Sequence, residues 1–441
     1  MSLRLRFRRR GLWQKPDFLK LWAGRTVSKA GSLVTGFALP LAAIVLLHAS
    51  AAQVALLSAA GIAPGLVLGL VAGVWVDRVR RRRLLLAADV GRAVVVGSVP
   101  AAALLGRLHL EQLYAVALAS STLAVVFEVA YPAYLASLVR SEELLEANSK
   151  LEASGAVAEA VGFGAAGALV QALSAPLALA VDAGSYVVSA LSLALIQTRE
   201  PTPEGIQSVR DGGGMNGVST AGVWRQVGAG LRLTLGDPVA RALAGSAGVF
   251  TLCGNMLGVV LLLYLVREVH LAAGLLGVIF GVGGVSAFAG SLVAERATRR
   301  WGIGRAVIGG LAIYTGIAIV LPVASGPAWL AAGLLVLGQL SDCAHTVYTV
   351  GRASLLQAVA PPGALGRLHA STQTIEAVAT LLGVALGGTL GQTIGLRPTL
   401  FVAVVGGLLA PLWLARSPLR APRVLPERAP PLLRADVCAG P

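Results

Sequence analysis

The chain has 441 residues, 56% of them hydrophobic and only 13% charged, with a mean hydropathy of +0.77. A water-facing surface cannot be built from that composition, so the sequence reads as an integral membrane protein. Its apolar runs are continuous rather than alternating, which argues against a transmembrane β-barrel. Lys and Arg number 36 against 21 Asp and Glu, a net charge of +15, and in a soluble chain this would suggest nucleic acid. Here membrane topology explains the charge, and no nucleic-acid partner is expected.

In chain order, a basic stretch at 1–26 comes first, without a cleavage-site pattern, so no removable signal peptide is expected. Twelve apolar runs follow, at 27–47, 54–76, 84–105, 113–139, 155–172, 176–196, 242–266, 272–294, 306–324, 327–350, 371–393 and 398–415. Each approaches the ~20 residues that a helix needs to cross about 30 Å of hydrocarbon. The fold class is therefore an all-α membrane protein of twelve transmembrane helices. Residues 27–196 form one six-helix half and 242–415 the other. Between them, 197–241 is the longest polar interruption and contains Gly212, Gly213 and Gly214, a flexible linker. Within it Trp224, Val227, Leu231 and Leu235 recur at helical spacing, which predicts a short helix on the membrane surface. The tail at 416–441 holds six prolines and is expected to be disordered. Cys253, Cys343 and Cys438 show neither disulfide nor metal spacing, and no cofactor or metal is implied.

An even number of spans places both termini on one side. Of the 36 basic residues, 31 flank that side and 3 the other, so both termini are expected to be cytoplasmic. The halves also repeat each other weakly. Residues 155–169 overlie 376–390 at an offset of 221, pairing Gly162 with Gly383 and Gly167 with Gly388. Two related six-helix halves joined by a linker describe a transporter.

The segment Gly73-Val-Trp-Val-Asp77-Arg78-Val79-Arg80-Arg81-Arg82 resembles the signature between the second and third helices of the major facilitator superfamily, with Arg80 in place of a glycine. Further segments are similar to its drug:proton antiporter branch, which includes macrolide and enterobactin exporters. They are Ser28 to Gly31, Ala147-Asn148, Asp182 to Tyr186, and Gly366-Arg367. The fifth-helix run Gly162-Phe163-Gly164-Ala165-Ala166-Gly167 lacks the proline of the antiporter signature, but Gly162, Gly164 and Gly167 still permit close helix packing. The resemblance implies a cytoplasmic gate built from Gly73, Asp77, Arg78, Arg81 and Arg82, with Asp89 as a carboxylate partner. Asp89 and Arg92, spaced i and i+3, can also pair with each other.

Ionisable groups inside a bilayer cost about 2.5 to 3.5 kcal/mol each at a helix centre, so those that are present need partners or a watery cavity. Glu128 and Asp342 lie at similar depth, about 22 Å from the far end of the fourth and tenth spans. The resemblance puts those spans on opposite walls of a central cavity. With His345, one turn from Asp342, and Asp182, they are the candidates for carrying a proton. Glu376 reads as structural, near a helix start, and the role of Glu159 stays open.

The resulting expectation is a monomeric, proton-coupled exporter of a small amphipathic compound in a bacterial inner membrane, with the bilayer, protons and a small-molecule substrate as its partners. The alternatives are an importer or symporter, a lipid flippase on the same fold, and more remotely a sensor or scaffold. No enzyme constellation and no phosphate-cradling loop is present in the sequence.

Overall fold

A computed structural model describes residues 12–68, 79–198, 228, 230–232, 234–360 and 365–420. Its described residues are helical and contain no strand. The helices are α1 (Pro16–Val45), α2 (Ala51–Leu68), α3 (Arg81–Leu104), α4 (Leu110–Leu138), α5 (Leu144–Leu173), α6 (Ala175–Ala194), α7 (Pro238–Arg267) and α8 (Ala273–Trp301). They continue with α9 (Ile303–Val323), α10 (Ala328–Val359), α11 (Leu365–Thr393) and α12 (Leu396–Ala415). Eleven are long and apolar enough to cross a membrane, and α5, which is bent, makes a twelfth. Large apolar side chains such as Val94, Leu191, Val285 and Phe288 are exposed on their outer faces. That pattern suits a solvent as apolar as the core itself.

The helices run past the hydropathic segments at the ends where polar side chains find partners. α1 begins at Pro16, a residue suited to a helical first turn, and not at 27. Its first turns pack Phe18 and Leu21 into a core with Phe127 and Leu193. Of the expected surface helix near 224–235, Trp224 and Val227 lie outside the described residues, whereas residues 230–232 and 234–236 are helical.

The internal repeat is carried by the turns. The chain reverses at Ser174 with φ 85° and at Gly395 with φ 93°, positions separated by the same offset of 221. His48 and His270, and Gly106 and Gly326, form two further pairs of positive-φ turns at nearly that offset. Glycine has no Cβ to clash in this region, whereas Ser174 holds a conformation close to glycine-only.

Packing repeats as well. A Cβ on Gly162 would lie 2.4 Å from Leu33 Cδ1 of α1, and one on Gly383 would lie 2.2 Å from the Leu252 oxygen of α7. Gly167 meets α8, where its Cβ would be 2.5 Å from Gly277 Cα, and Gly388 meets α2, 2.3 Å from Ala55 Cβ. So α5 and α11 each bind their own half through one glycine, Gly162 or Gly383, and cross to the other half through another, Gly167 or Gly388.

These crossings lie away from the termini. There one hydrophobic core joins both halves, including Val34, Val54 and Leu179 with Leu263, Leu276 and Val384. Towards the termini the core divides. Leu21, Leu85 and Phe127 belong to a cluster of the first half alone, while Leu243, Leu311 and Leu355 belong to one of the second. Among the described residues the bundle is thus sealed on the far side and parted on the terminal side.

Candidate transport pathway

The parted side carries two cavities, one in each half. The first, of about 190 Å³, is enclosed by α1, α4 and α5 and lined among others by Arg25, Lys29, Glu128, Tyr131 and Glu152. The second, of about 450 Å³, lies between α10 and α11 and is lined by Arg352, His369, Gln373 and Glu376. They are repeat mates: Glu128, Tyr131, Asn148, Glu152 and Gly155 of the first stand 221 residues before Thr349, Arg352, His369, Gln373 and Glu376 of the second.

In the first cavity, helical spacing puts Arg25 and Lys29 of α1 on one face. Arg25 Nη2 donates to both carboxylate oxygens of Glu128, at 2.6 and 2.8 Å. Its guanidinium also lies 5.2 Å from the ring centre of Phe127 and 4.8 Å from that of Tyr131. Lys29 reaches Glu159 at 2.9 Å, which gives that glutamate a partner. Gly155 leaves room for the lysine, since a Cβ there would stand 3.2 Å from Nζ. In the second cavity Arg352 pairs with Glu376.

Asp182 lies elsewhere, itself fully buried, in a polar cluster between α1, α3 and α6. It accepts hydrogen bonds from Thr35 and, at 2.9 Å, from Ser185 Oγ. Gly31 of α1 permits this approach, because a Cβ would fall 2.4 Å from Asp182 Oδ1. The segments Ser28 to Gly31 and Asp182 to Tyr186, distant in sequence, therefore pack against each other. Arg92 donates to Ser32 Oγ at 3.1 Å and to the Tyr186 hydroxyl at 2.5 Å. Those bonds take it away from Asp89: neither carboxylate oxygen of Asp89 is hydrogen-bonded to it, so the expected i, i+3 pair does not form. The competing acceptors are tertiary neighbours that a single-helix argument does not include.

Asp342 sits where α10 is interrupted, between its segments Ala328–Leu340 and Asp342–Val359. Ser286 of α8 bridges the break: its hydroxyl donates to the Leu340 oxygen at 2.7 Å and accepts from the Cys343 N–H at 3.1 Å. Backbone groups freed at membrane depth require such replacement. Gly283 and Gly290 bring α8 close, and a Cβ at Gly283 would stand 2.5 Å from Asp342 Oδ2. The Asp342 carboxylate forms no ion pair among the described residues. His345 stacks among Phe250, Tyr314 and Tyr348, with ring centres 5.3, 4.7 and 6.0 Å away. No hydrogen bond joins it to Asp342, so the pair shares one helix and not one proton bridge.

Of the gate segment, Gly73, Asp77 and Arg78 lie outside the described residues. Arg82 donates to the carbonyl oxygens of Leu193 at 3.1 Å and Ala194 at 2.7 Å, capping the negative end of α6. Arg81 is half-buried at the start of α3, and Asp89 is fully buried deeper in that helix beside Ser189.

Sequence reasoning treated Arg25 and Arg352 as markers of topology and passed over Ser286. The signal for Arg25 and Lys29 was their i, i+4 spacing in a helix facing two carboxylates. Nothing local marked Ser286 as the residue that closes a break 54 positions away.

Comparison with known proteins agrees with this arrangement. A bacterial homologue of the iron transporter ferroportin in its inward-facing state aligns with a TM-score of 0.69 at 22% identity, covering 92% of this chain and 98% of that one. The outward-facing state of such a homologue aligns at 0.52 and 21%, over 90% and 98%. The nucleoside transporter NupG aligns at 0.66 with 12% identity, over 90% and 98%. At these identities the likeness is one of fold. The sequence profile described as Major Facilitator Superfamily matches residues 21–379, and with twelve apolar helices in two repeated halves, the chain belongs to that superfamily of membrane transporters and is no enzyme.

Proposed function

We propose that this transporter expels a small amphipathic compound in exchange for protons, from a bacterial inner membrane with both termini cytoplasmic, and that Asp342 carries the proton. The observation behind this reading is the contrast in ionic partners. Glu128, Glu159 and Glu376 are each held by a cation, and the fully buried Asp89 and Asp182 lie near Arg92, while Asp342 has no basic neighbour among the described residues. Asp342 is half-buried, and a partly desolvated charge without a counter-charge is the least costly to neutralise by taking a proton. The Asp342 carboxylate also stands at a helix break, the kind of site where transporters of this architecture bind ions. His345 lies one turn away, boxed by aromatic rings. Export in place of import follows from the similarity of several segments to the antiporter branch.

The deciding measurement is substrate efflux from cells and from vesicles with and without a proton uncoupler. Efflux that survives the uncoupler overturns proton coupling, and accumulation in the opposite direction overturns export. The orientation is tested separately. A cysteine at Gly213, in the linker, is expected to react with an impermeant label only from the cytoplasmic side. For the gate segment, Asp77→Asn is expected to leave the protein in the membrane and to slow transport strongly.

A further inference from the structure

The α1–α4–α5 cavity has the parts of a cation site. Glu128 supplies a carboxylate whose two oxygens face one donor group. Phe127 and Tyr131, stacked with ring centres 5.8 Å apart, present their electron-rich faces to the same point. Glu152 lines the same cavity and has no ion-pair partner among the described residues. A carboxylate beside aromatic faces is the combination that holds delocalised or quaternary cations. In this structure the point is filled by a residue of the chain itself, the Arg25 guanidinium.

We propose that this cavity is a substrate subsite for organic cations, with Arg25 as its tethered internal occupant, which an incoming cationic headgroup displaces from Glu128, Phe127 and Tyr131. The proposal deepens the transport reading and rests on it, since it takes the parted terminal side as the substrate path. Three features support displacement over a permanent structural pair. Glu128 is 58% exposed towards the cavity, so a ligand reaches it without unfolding a helix. The about 190 Å³ of open space lets the arginine side chain move aside. Glu152 then adds a second negative charge that Arg25 leaves uncompensated. In the repeat-mate cavity the position equivalent to Tyr131 is Arg352 and that equivalent to Glu152 is Gln373, so the second half lacks both the aromatic face and the extra carboxylate. The cationic end of a substrate belongs to the first half.

The test is equilibrium binding to the purified full chain in detergent, with phenyltrimethylammonium as probe and the uncharged isostere tert-butylbenzene as control. Arg25→Gln removes the internal competitor and is expected to tighten phenyltrimethylammonium binding ~10-fold. Glu128→Gln is expected to weaken it ~10-fold and Glu152→Gln by less, while Arg299→Gln, on an exposed surface arginine, leaves it as in the parent. Binding of tert-butylbenzene stays the same throughout. Arg25→Lys keeps the charge but not the flat guanidinium, and serves where Arg25→Gln does not yield monodisperse protein. Its affinity is expected to lie between those of the parent and Arg25→Gln. Unchanged or weaker cation binding in the Arg25 variants overturns the proposal, as does a neutral isostere that follows the same order. No gradient enters this assay. A negative result beside intact uncoupler-sensitive efflux therefore removes the cation seat alone, and the converse removes proton coupling alone.

Discussion

The two halves repeat one backbone and differ in how they handle charge. In the first half each cavity cation has a carboxylate: Arg25 lies on Glu128, and Lys29 on Glu159. Its two fully buried acids both lie near Arg92: Asp182 is surrounded by hydroxyl groups, and Asp89 sits on the same helix as the arginine. In the second half the terminal-side part is compensated, Arg352 by Glu376, but further from the termini, Asp342 and His345 have no ionic partner among the described residues. The difference teaches that the repeat supplies a common frame, with its matched turns and matched glycines, and that divergence of a few side chains gives the two walls different charge partners. On the proposed reading, the first wall holds a ligand and the second changes charge.

The strongest way to break this division is to neutralise one acid in each wall. Asp342→Asn is expected to lower proton-driven accumulation more than ~10-fold while passive exchange persists, because the site can no longer alternate between charged and neutral forms. Glu128→Gln is expected to alter affinity and to keep the dependence on the gradient. Vesicle accumulation and exchange measured side by side check this, and a Glu128→Gln protein that loses gradient dependence while Asp342→Asn retains it would reverse the assignment.

A second test concerns the seam between the halves. A Cβ at Gly277 would meet Gly167 Cα at 2.6 Å, whereas one at Gly164 meets its nearest neighbour at 3.9 Å. Gly277→Val is thus expected to pry the far side open, since overpacking costs about 1–3 kcal/mol, and to slow transport ~10-fold or more. Gly164→Ala is expected to be nearly silent. Accessibility of a cysteine introduced near the seam, read with transport, separates a propped-open protein from an unfolded one.

The helix break in α10 gives a smaller effect. Ser286→Ala leaves the Cys343 N–H and the Leu340 oxygen without their shared partner, at a cost of about 1–3 kcal/mol for buried polar groups. Thermal unfolding in detergent is expected to fall, with Ser286→Thr restoring most of it and coupling altered in the alanine variant only.

The smallest test uses the matched turns. Ser174, at φ 85° and ψ 158°, holds the conformation that Gly395 holds at φ 93° and ψ 165°. Ser174→Gly is expected to raise stability by roughly 1 kcal/mol by relieving strain, and Gly395→Ser to lower it by a similar amount. Opposite shifts in melting temperature would confirm that the two turns are equivalent, and equal shifts would deny it.

How much of this was legible in advance varies by residue. The composition and the apolar runs by themselves determined a twelve-helix membrane bundle, because a chain segment in lipid has to satisfy its backbone internally and span a set thickness. The offset of 221 pointed to two related halves through Gly162 and Gly383, and the segment from Gly73 to Arg82 to a superfamily. Acids within the spans at Glu128, Asp182 and Asp342 were visible as expensive residues, yet their differences were not. Only the tertiary structure decided that Arg25, which hydropathy assigns to a basic flank, lies over Phe127 and Tyr131 on Glu128, that Asp182 is wrapped by Thr35 and Ser185, and that Asp342 faces Gly283 across a break closed by Ser286. The physical reason is that hydropathy and periodicity register what a residue costs within its own helix, while its compensation comes from side chains on other helices, whose approach depends on glycines and turns far away in the chain.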